Sequence, residues 1–171
     1  MVFAYYNRLN AAQRRTYRKS DACTAISLTD ATALQPRASA IAEALRGGER
    51  ASVHVASQAL VDAITAQLGA PAVRLRVLTS RPHDADSELH GLYEPVDGNR
   101  AARISVWMLT AKQRRVVAFR TYLRTLLHEL CHHLDYELFG LDESFHTEGF
   151  YKRESSLFNQ LVPGAPAQAE A

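Results

Sequence analysis

Apolar residues recur at steps of three and four positions over a long stretch in the second half of the chain. These residues are Val116, Phe119, Leu123, Leu126, Leu127, Leu130 and Leu134. The spacing places them on one face of a helix, which indicates that the helix packs on the core of the protein. Thr110 and Gln113 have the spacing of a capping box and predict where the helix begins, and Gly140 predicts where it ends.

Two helices are predicted in the first fifty residues. Asn10 is a helix-capping residue type, and it precedes a predicted helix over residues 11–19 that carries four basic side chains. Residues 21–36 are expected to form an irregular connection. Pro36 then opens a second predicted helix over residues 37–46, because the missing N–H of proline is tolerated in the first turn of a helix.

The middle of the chain changes from a helix pattern to a strand pattern. A stripe of apolar residues predicts a helix over residues 53–68. Alternation of apolar and polar residues then predicts three short strands, over residues 73–77, 89–93 and 103–108. A turn-rich segment, residues 95–99, is expected to join the last two strands.

A last helix and a tail complete the predicted layout. The apolar residues that predict this helix are Phe150, Leu157, Phe158 and Leu161. We expect an α+β fold in which a short three-stranded sheet is combined with the long helix and flanking helices. Residues 1–50 are predicted to be a helical extension packed on the core, residues 51–162 the core domain, and residues 163–171 a disordered tail rich in alanine and proline.

Composition and charge narrow the class of protein. Of the 171 residues, 47% are hydrophobic and 22% are charged, as in an ordinary globular domain. A net charge of +2 gives no support for nucleic acid or a membrane as a partner. We expect neither a secretion signal nor a membrane anchor, and the two cysteines, Cys23 and Cys131, do not make a disulfide framework. These features favour a cytoplasmic protein, and they make no prediction of its oligomeric state.

The long helix carries the pattern His-Glu-x-x-His, formed by His128, Glu129 and His132. Two histidines four positions apart project from one face of a helix, about 40° apart, as two ligands of a tetrahedral metal must. Glu129 then lies beside the metal, where its carboxylate can take a proton from a water and pass it to a leaving group. The motif therefore predicts a zinc site with Glu129 as the catalytic residue.

A catalytic zinc usually has three protein ligands, so the motif leaves one ligand to be found. His146 is the only histidine after the predicted helix and is our candidate for the third ligand. Glu143, Glu148 and Glu154 compete with it, because a carboxylate is an equally good zinc ligand. The sequence alone does not show which of these side chains points towards the metal.

The chain resembles the SprT-like zinc metallopeptidases, a family of small zincins. The resemblance rests on His-Glu-Leu-Cys-His and, after thirteen intervening residues, on a third histidine followed four positions on by an aromatic residue, here His146 and Phe150. It covers roughly residues 55–161 and implies a zincin-type domain, Zn²⁺ bound by the three histidines, and peptide-bond hydrolysis by a zinc-activated water with Glu129 as general base. Members of the family often carry a cysteine-rich zinc ribbon after this domain, whereas this chain has only two cysteines.

The resemblance also indicates where a protein or peptide substrate would lie. In zincins the substrate extends along an exposed sheet edge, which here would be residues 89–94. His90 and Tyr93 would then border the cleft. Tyr151 and His90 are candidates for stabilising the charge that develops on the substrate carbonyl during the reaction.

Two other functions fit the same residues. A non-catalytic module could use the metal as a structural or regulatory clip and bind a partner through the basic helix 11–19. A zinc hydrolase could also attack amides other than peptide bonds. Glu129 favours an enzyme, because a site without chemistry has no need of a proton acceptor beside the metal.

Overall fold

The computed structural model describes residues 2–79, 91–110 and 114–164. Within these residues the chain forms a short 3₁₀-helix (Ala4–Arg8), five α-helices and three strands. The helices are α1 (Ala11–Ala22), α2 (Ala31–Gly47), α3 (Arg50–Leu68), α4 (Phe119–Glu137) and α5 (Glu148–Leu161). The strands are β1 (Arg74–Leu78), β2 (Gly91–Glu94) and β3 (Arg103–Trp107). The predicted α+β class with a short three-stranded sheet is confirmed.

The sheet is mixed, with β3 in the centre and β2 at an edge. β1 pairs with β3 in parallel, and β2 pairs with β3 antiparallel. The turn before β3 closes through two backbone hydrogen bonds between Asp97 and Arg100. β1 and β3 begin within one residue of their predicted starts. Of the strand predicted over residues 89–93, the first two residues lie outside the described part of the chain.

One face of the sheet packs against helices and forms the core. Leu75 and Val77 of β1 are buried, and the arginines that alternate with them are exposed. Ile104 and Val106 of β3 are fully buried on the same face. Full burial of one such side chain stabilises the fold by about 1.5–3 kcal/mol. α4 contacts both β2 and β3, so the helix that carries the histidine motif lies against the edge strand.

The predicted start of α4 is wrong. α4 begins at Phe119, and its N-cap residue makes no side-chain cap. Thr110 instead closes a turn, because its hydroxyl accepts a hydrogen bond from the N–H of Arg115. This turn brings Val116 back beside Leu109, outside the helix and 39% exposed. The other residue of the expected capping box, at position 113, lies outside the described residues, and the predicted end before Gly140 is confirmed.

The predicted start of α2 is also wrong. α2 begins at Ala31, and the side chain of Asp30 accepts a hydrogen bond from the N–H of Ala33. Pro36 lies in the second turn of this helix instead of opening it. Because Pro36 has no N–H, α2 lacks one backbone hydrogen bond at this position. The cap formed by Asp30 sets the first residue of the helix five positions before Pro36. Residues 31–36 are therefore helical and not an irregular connection.

The amino-terminal helices pack on the rest of the fold. The helix cap predicted at Asn10 is present, as a capping box with Gln13, and α1 follows it. α1 contacts α5, and α2 contacts α3, α4 and α5, with Ile41 of α2 in the same apolar cluster as Ile64 of α3. None of the helices in the three described ranges combines the length and apolar character that crossing a membrane requires. Residues 165–171 of the predicted tail lie outside these ranges.

Candidate metal centre

Three histidines meet at the surface of α4. His128 and His132 project from this helix one turn apart, and His146 reaches them from the loop between α4 and α5. The Nε2 atom of His146 lies 3.1 Å from Nε2 of His128 and 3.1 Å from Nε2 of His132. The structure thus brings together the three histidines that the sequence predicted as metal ligands.

The geometry of the cluster fits a metal ion such as zinc. Tetrahedral zinc has Zn–N distances of about 2.0–2.1 Å, which place two ligand nitrogens about 3.3 Å apart. The ligand atoms of His128, His132 and His146 all lie within 4.8 Å of one another. Three imidazoles leave a fourth coordination position for water or substrate, as in catalytic zinc sites.

The three competing glutamates are engaged in other contacts. Glu143 accepts a hydrogen bond from Gln13 Nε2 at 3.0 Å, and Glu148 pairs with Lys152 on the same helix. Glu154 lies behind the cluster, with its Oε2 atom 3.1 Å from Nδ1 of His128. His146, and none of these carboxylates, therefore completes the cluster with the two histidines of the motif.

The outer nitrogens of the two motif histidines are held by hydrogen-bond acceptors. Glu154 accepts from Nδ1 of His128, and Ser144 Oγ lies 2.7 Å from Nδ1 of His132. The Ser144 hydroxyl donates its own proton to Asp135 Oδ2 at 2.7 Å, so its oxygen must accept from His132. A proton on each Nδ1 leaves a lone pair on each Nε2, which is the tautomer that binds a metal.

The pKa values of two of the imidazoles favour the neutral form. Burial, aided by the neighbouring histidines and Arg153, lowers the pKa of His132 to about 3. Burial and the charge of His128 also lower the pKa of His146. A neutral imidazole is the metal-binding form, so these two side chains are ready to act as ligands at neutral pH.

A buried network extends from His132 into the interior. Asp135 accepts a hydrogen bond from Ser144 at one carboxylate oxygen and from Arg153 at the other. The Nη2 atom of Arg153 lies 2.7 Å from Asp135 Oδ1. Asp135 and Arg153 are both fully buried. Arg153 also donates to the carbonyls of Ser20 and Cys23 at the end of α1. Burial raises the pKa of Asp135, and Arg153 opposes this shift.

Sequence reasoning missed this network, although one signal was present. Asp135 lies three positions after His132 and seven after His128, which places it on the face of α4 that carries the ligands. Arg153 gave no such signal, because only the packing of α1, α4 and α5 around it distinguishes it from a surface arginine. Its Nε atom is buried without a partner in the described residues.

Glu129 lies between α4 and the edge strand. Its side chain is buried, and the burial raises its pKa to about 7 against the opposing effects of His128 and the backbone N–H of Tyr93. A Cβ atom added at Gly91 would lie 2.6 Å from Glu129 Oε1. The absence of a Cβ atom at position 91 therefore leaves room for the carboxylate against β2.

A cavity of about 640 Å³ opens beside the three histidines. Gly91, Leu92 and Tyr93 of the edge strand form one wall, and Glu129 lies in the same cavity. An extended chain in this cavity would lie alongside β2, whose outer edge is unpaired within the described residues. Tyr136 also lines the cavity, with its ring stacked on that of Tyr93 at 5.9 Å.

Tyr93 was predicted to border the cleft, Tyr151 to stabilise charge on the substrate carbonyl, and His90 to do either. Tyr93 stacks on the ring of His132, with 6.4 Å between ring centroids, and its hydroxyl lies 3.2 Å from Nδ1 of His133. Tyr151 is 43% exposed, and its ring lies 5.8 Å from that of His146. His90 lies outside the described residues. Tyr93 lines the cavity, whereas Tyr151 is not among its lining residues.

Comparison of the chain with models of protein families, with curated proteins and with solved structures finds no match.

Proposed function

We propose that the chain is a zinc-dependent metallopeptidase of the SprT-like kind, acting on extended segments of protein or peptide. One observation carries the proposal. The Nε2 atoms of three histidines converge at one end of a cavity that also contains the Glu129 carboxylate and the edge strand β2. Metal ligands, a proton acceptor and a surface for an extended chain are the parts that peptide hydrolysis needs.

The chemistry divides between the metal and the chain. Zinc, when bound by His128, His132 and His146, supplies a Lewis acid and a water of lowered pKa. Glu129 supplies the proton transfers: its carboxylate accepts a proton from the attacking water and returns it to the departing amine. The N–H of Tyr93 bonds this carboxylate and holds it at the wall of the cavity.

The edge strand gives the substrate its orientation. β2 is bonded to β3 along one side, and no strand within the described residues pairs with its other side. The Tyr93 N–H bonds Glu129, and the remaining backbone groups of that side can pair with a peptide. Leu92, which is 40% exposed, offers an apolar contact for a substrate side chain. Tyr151 and His90 remain candidates for stabilising charge on the substrate carbonyl.

The competing proposal is a non-catalytic zinc module. The buried pair of Asp135 and Arg153 ties His132 to α1 and α5, and such anchoring suits a structural clip as well as an enzyme. The two proposals differ at Glu129, because a clip has no reaction that requires a proton acceptor.

Substitution of Glu129 by Gln tests the proposal. Glutamine keeps the shape of the side chain but does not accept the proton, so cleavage should slow by about 10²–10⁴-fold while zinc content stays unchanged. Glu137→Gln is the matched control, since Glu137 is exposed near the end of the same helix and should retain full activity. Zinc is measured by elemental analysis, and cleavage by mass spectrometry of an unfolded-protein and peptide library.

One result would contradict the proposal that the protein is an enzyme. A zinc-loaded wild-type protein that cleaves nothing across the library, and behaves like the Glu129→Gln form, would identify the site as a clip. Folded substrates alone do not test the proposal, because a peptide must extend along β2 before its carbonyl can reach the metal.

A further inference from the structure

We infer that the amino-terminal segment positions the third metal ligand. This segment, residues 3–22, contains the 3₁₀-helix and α1, and we call it the amino-terminal clamp. The inference rests on the metal site of the proposed function. It assigns a task to part of the chain that lies outside the histidine motif and outside the sheet.

The loop that carries His146 needs such support. His128 and His132 are fixed by the backbone of α4, whereas His146 lies between the end of α4 and the start of α5, outside any helix or strand. A loop without a regular hydrogen-bond ladder depends on contacts with the rest of the fold for its conformation. The ring of His146 contacts the rings of Phe150 and Tyr151, but these contacts hold the side chain and not the backbone of the loop.

Tyr5 binds the backbone of the ligand directly. Its hydroxyl donates a hydrogen bond to the carbonyl oxygen of His146 at 2.8 Å. Its ring stacks on Phe145, the residue before the ligand, with ring centroids 6.4 Å apart. Tyr17 of α1 is fully buried and contacts the same Phe145 ring at 6.0 Å. The ligand and its neighbour are thus both held from the amino-terminal side.

The clamp also holds the loop before and after the ligand. Before it, Gln13 Nε2 donates to Glu143 at 3.0 Å. After it, Ser20 Oγ lies 3.2 Å from the hydroxyl of Thr147, which caps α5 by accepting from the N–H of Phe150. The loop is therefore attached at positions on both sides of His146, so its path over the metal site is set by α1.

The base of the clamp is in close backbone contact with α5. A Cβ atom added at Gly149 would lie 2.6 Å from the carbonyl oxygen of Ser20. The N–H of Gly149 donates to the side chain of Asp21 at 3.0 Å. Glycine at this position permits an approach that any other residue would prevent. α1 and the start of α5 thus form one support from which the His146 loop extends.

These contacts bear on metal affinity because they order the ligand before the metal arrives. A loop that is already in its bound conformation loses less conformational freedom on binding, and the affinity rises accordingly. Loosening the clamp should weaken zinc binding through the loop, while α4 keeps the backbone positions of His128 and His132. A purely structural role predicts a different pattern, in which stability falls and the affinity of the folded protein for zinc does not change.

Two tyrosines offer a matched test on the full-length chain. Tyr5→Phe removes the hydrogen bond to His146, whereas Tyr6→Phe removes a hydroxyl that contacts Arg18 instead. Both tyrosines are partly buried, so the two changes cost similar packing. Zinc dissociation constants are measured by competition with a chromophoric chelator. We expect about 10-fold weaker binding for Tyr5→Phe, the lower end of the range for residues that support a ligand, and no change for Tyr6→Phe.

A charge exchange provides the second test. Gln13→Glu preserves the capping box, because glutamate is favoured at this position, but it places a carboxylate against Glu143. We expect weaker zinc binding with unchanged helix content by circular dichroism. The double variant Gln13→Glu with Glu143→Gln restores an amide–carboxylate pair with donor and acceptor exchanged, and it should recover the lost affinity.

The possible results separate this inference from the proposed function. Weaker zinc binding in Tyr5→Phe and Gln13→Glu, with recovery in the double variant and an unchanged melting temperature of the zinc-free protein, supports the clamp. A wild-type chain that binds zinc tightly, together with variants that bind it equally well, overturns the clamp and leaves the metal site intact. A wild-type chain that binds no zinc overturns both.

Discussion

The two halves of the metal site are fixed by different means. His128 and His132 need only the 3.6-residue repeat of α4 to face the same way. His146 is held by the hydroxyl of Tyr5, a residue 141 positions away in the chain. The helix half of the site, His128 and His132, is determined by the local sequence. The loop half, His146, takes its place only when the amino-terminal segment has packed against the loop. Changes near the amino terminus should therefore act mainly on the loop half.

The residues that orient the motif histidines show the same division. Glu154, which bonds His128, lies on helix α5, and Ser144, which bonds His132, lies on the loop. The buried pair of Asp135 and Arg153 joins the two sets, because it links Ser144 to α5 and to the end of α1. This pair is the point at which the local and the long-range parts of the site meet.

Removal of a ligand should have the largest effect. We expect His128→Ala and His132→Ala to abolish stoichiometric zinc, because each destroys the preformed pair of ligands on α4. His146→Ala should weaken zinc beyond the 10–100-fold range of supporting residues but keep more residual affinity, since both helix ligands remain. Elemental analysis and chelator competition measure these effects.

His54→Ala is the control for this series. His54 is a partly buried histidine that bonds the carbonyl of Leu75, and its removal should leave zinc unchanged. If one of the glutamate changes, Glu148→Ala or Glu154→Ala, stripped the metal while His146→Ala retained it, the loop half of the site would be assigned wrongly.

Arg153→Met should have the next largest effect, on stability. Methionine fills similar space but leaves the fully buried Asp135 without its counter-charge. Breaking a buried pair in this way typically costs 3–5 kcal/mol, so we expect the free energy of unfolding to fall by about that amount. Chemical denaturation of the zinc-free protein provides the measurement.

Two further variants test whether a loss of stability in Arg153→Met comes from the unpaired buried charge. Arg46→Met, at an exposed position in the last turn of α2, should change stability little. Addition of Asp135→Asn to Arg153→Met removes the unpaired charge and should recover part of the loss. A single Arg153→Met variant that is as stable as the wild type would show that α1, α4 and α5 hold together without the network.

The sequence predicted what depends on neighbouring residues. The spacing of His128 and His132 and the capping box of Asn10 and Gln13 are local features, and both are present in the structure. The starts of α2 and α4 were predicted wrongly because a residue type that favours a helix start does not by itself fix where the helix begins. Asp30 caps α2 ahead of Pro36, and the Thr110 hydroxyl closes a turn instead of capping a helix.

The features that sequence reasoning could not predict depend on distant residues. Nothing in the spacing of Glu143, His146 and Glu154 distinguishes a ligand from its competitors. The structure separates them because Gln13 engages one carboxylate and His128 Nδ1 engages another. These contacts join residues separated by 130 and 26 positions, and only the first of them crosses from the amino-terminal segment to the loop.

Loss of a residue that supports a ligand should have the smallest effect. Ser144→Ala removes the acceptor of His132 Nδ1 and frees that imidazole to rotate. We expect zinc to bind about 10-fold more weakly, a change of about 1.4 kcal/mol. Glu154→Ala, which removes the partner of His128, should fall nearer 100-fold, because a hydrogen bond to a carboxylate is stronger than one to a hydroxyl.

Ser52→Ala is the matched control for Ser144→Ala. Ser52 also donates to a carboxylate, that of Glu49, but at the exposed start of α3, so zinc affinity should not change. Equal zinc affinity in the wild type and in Ser144→Ala would mean that α4 alone fixes His132. The loop would then contribute only His146 to the site. His132 would depend on the local sequence of α4, and His146 alone on contacts with distant residues.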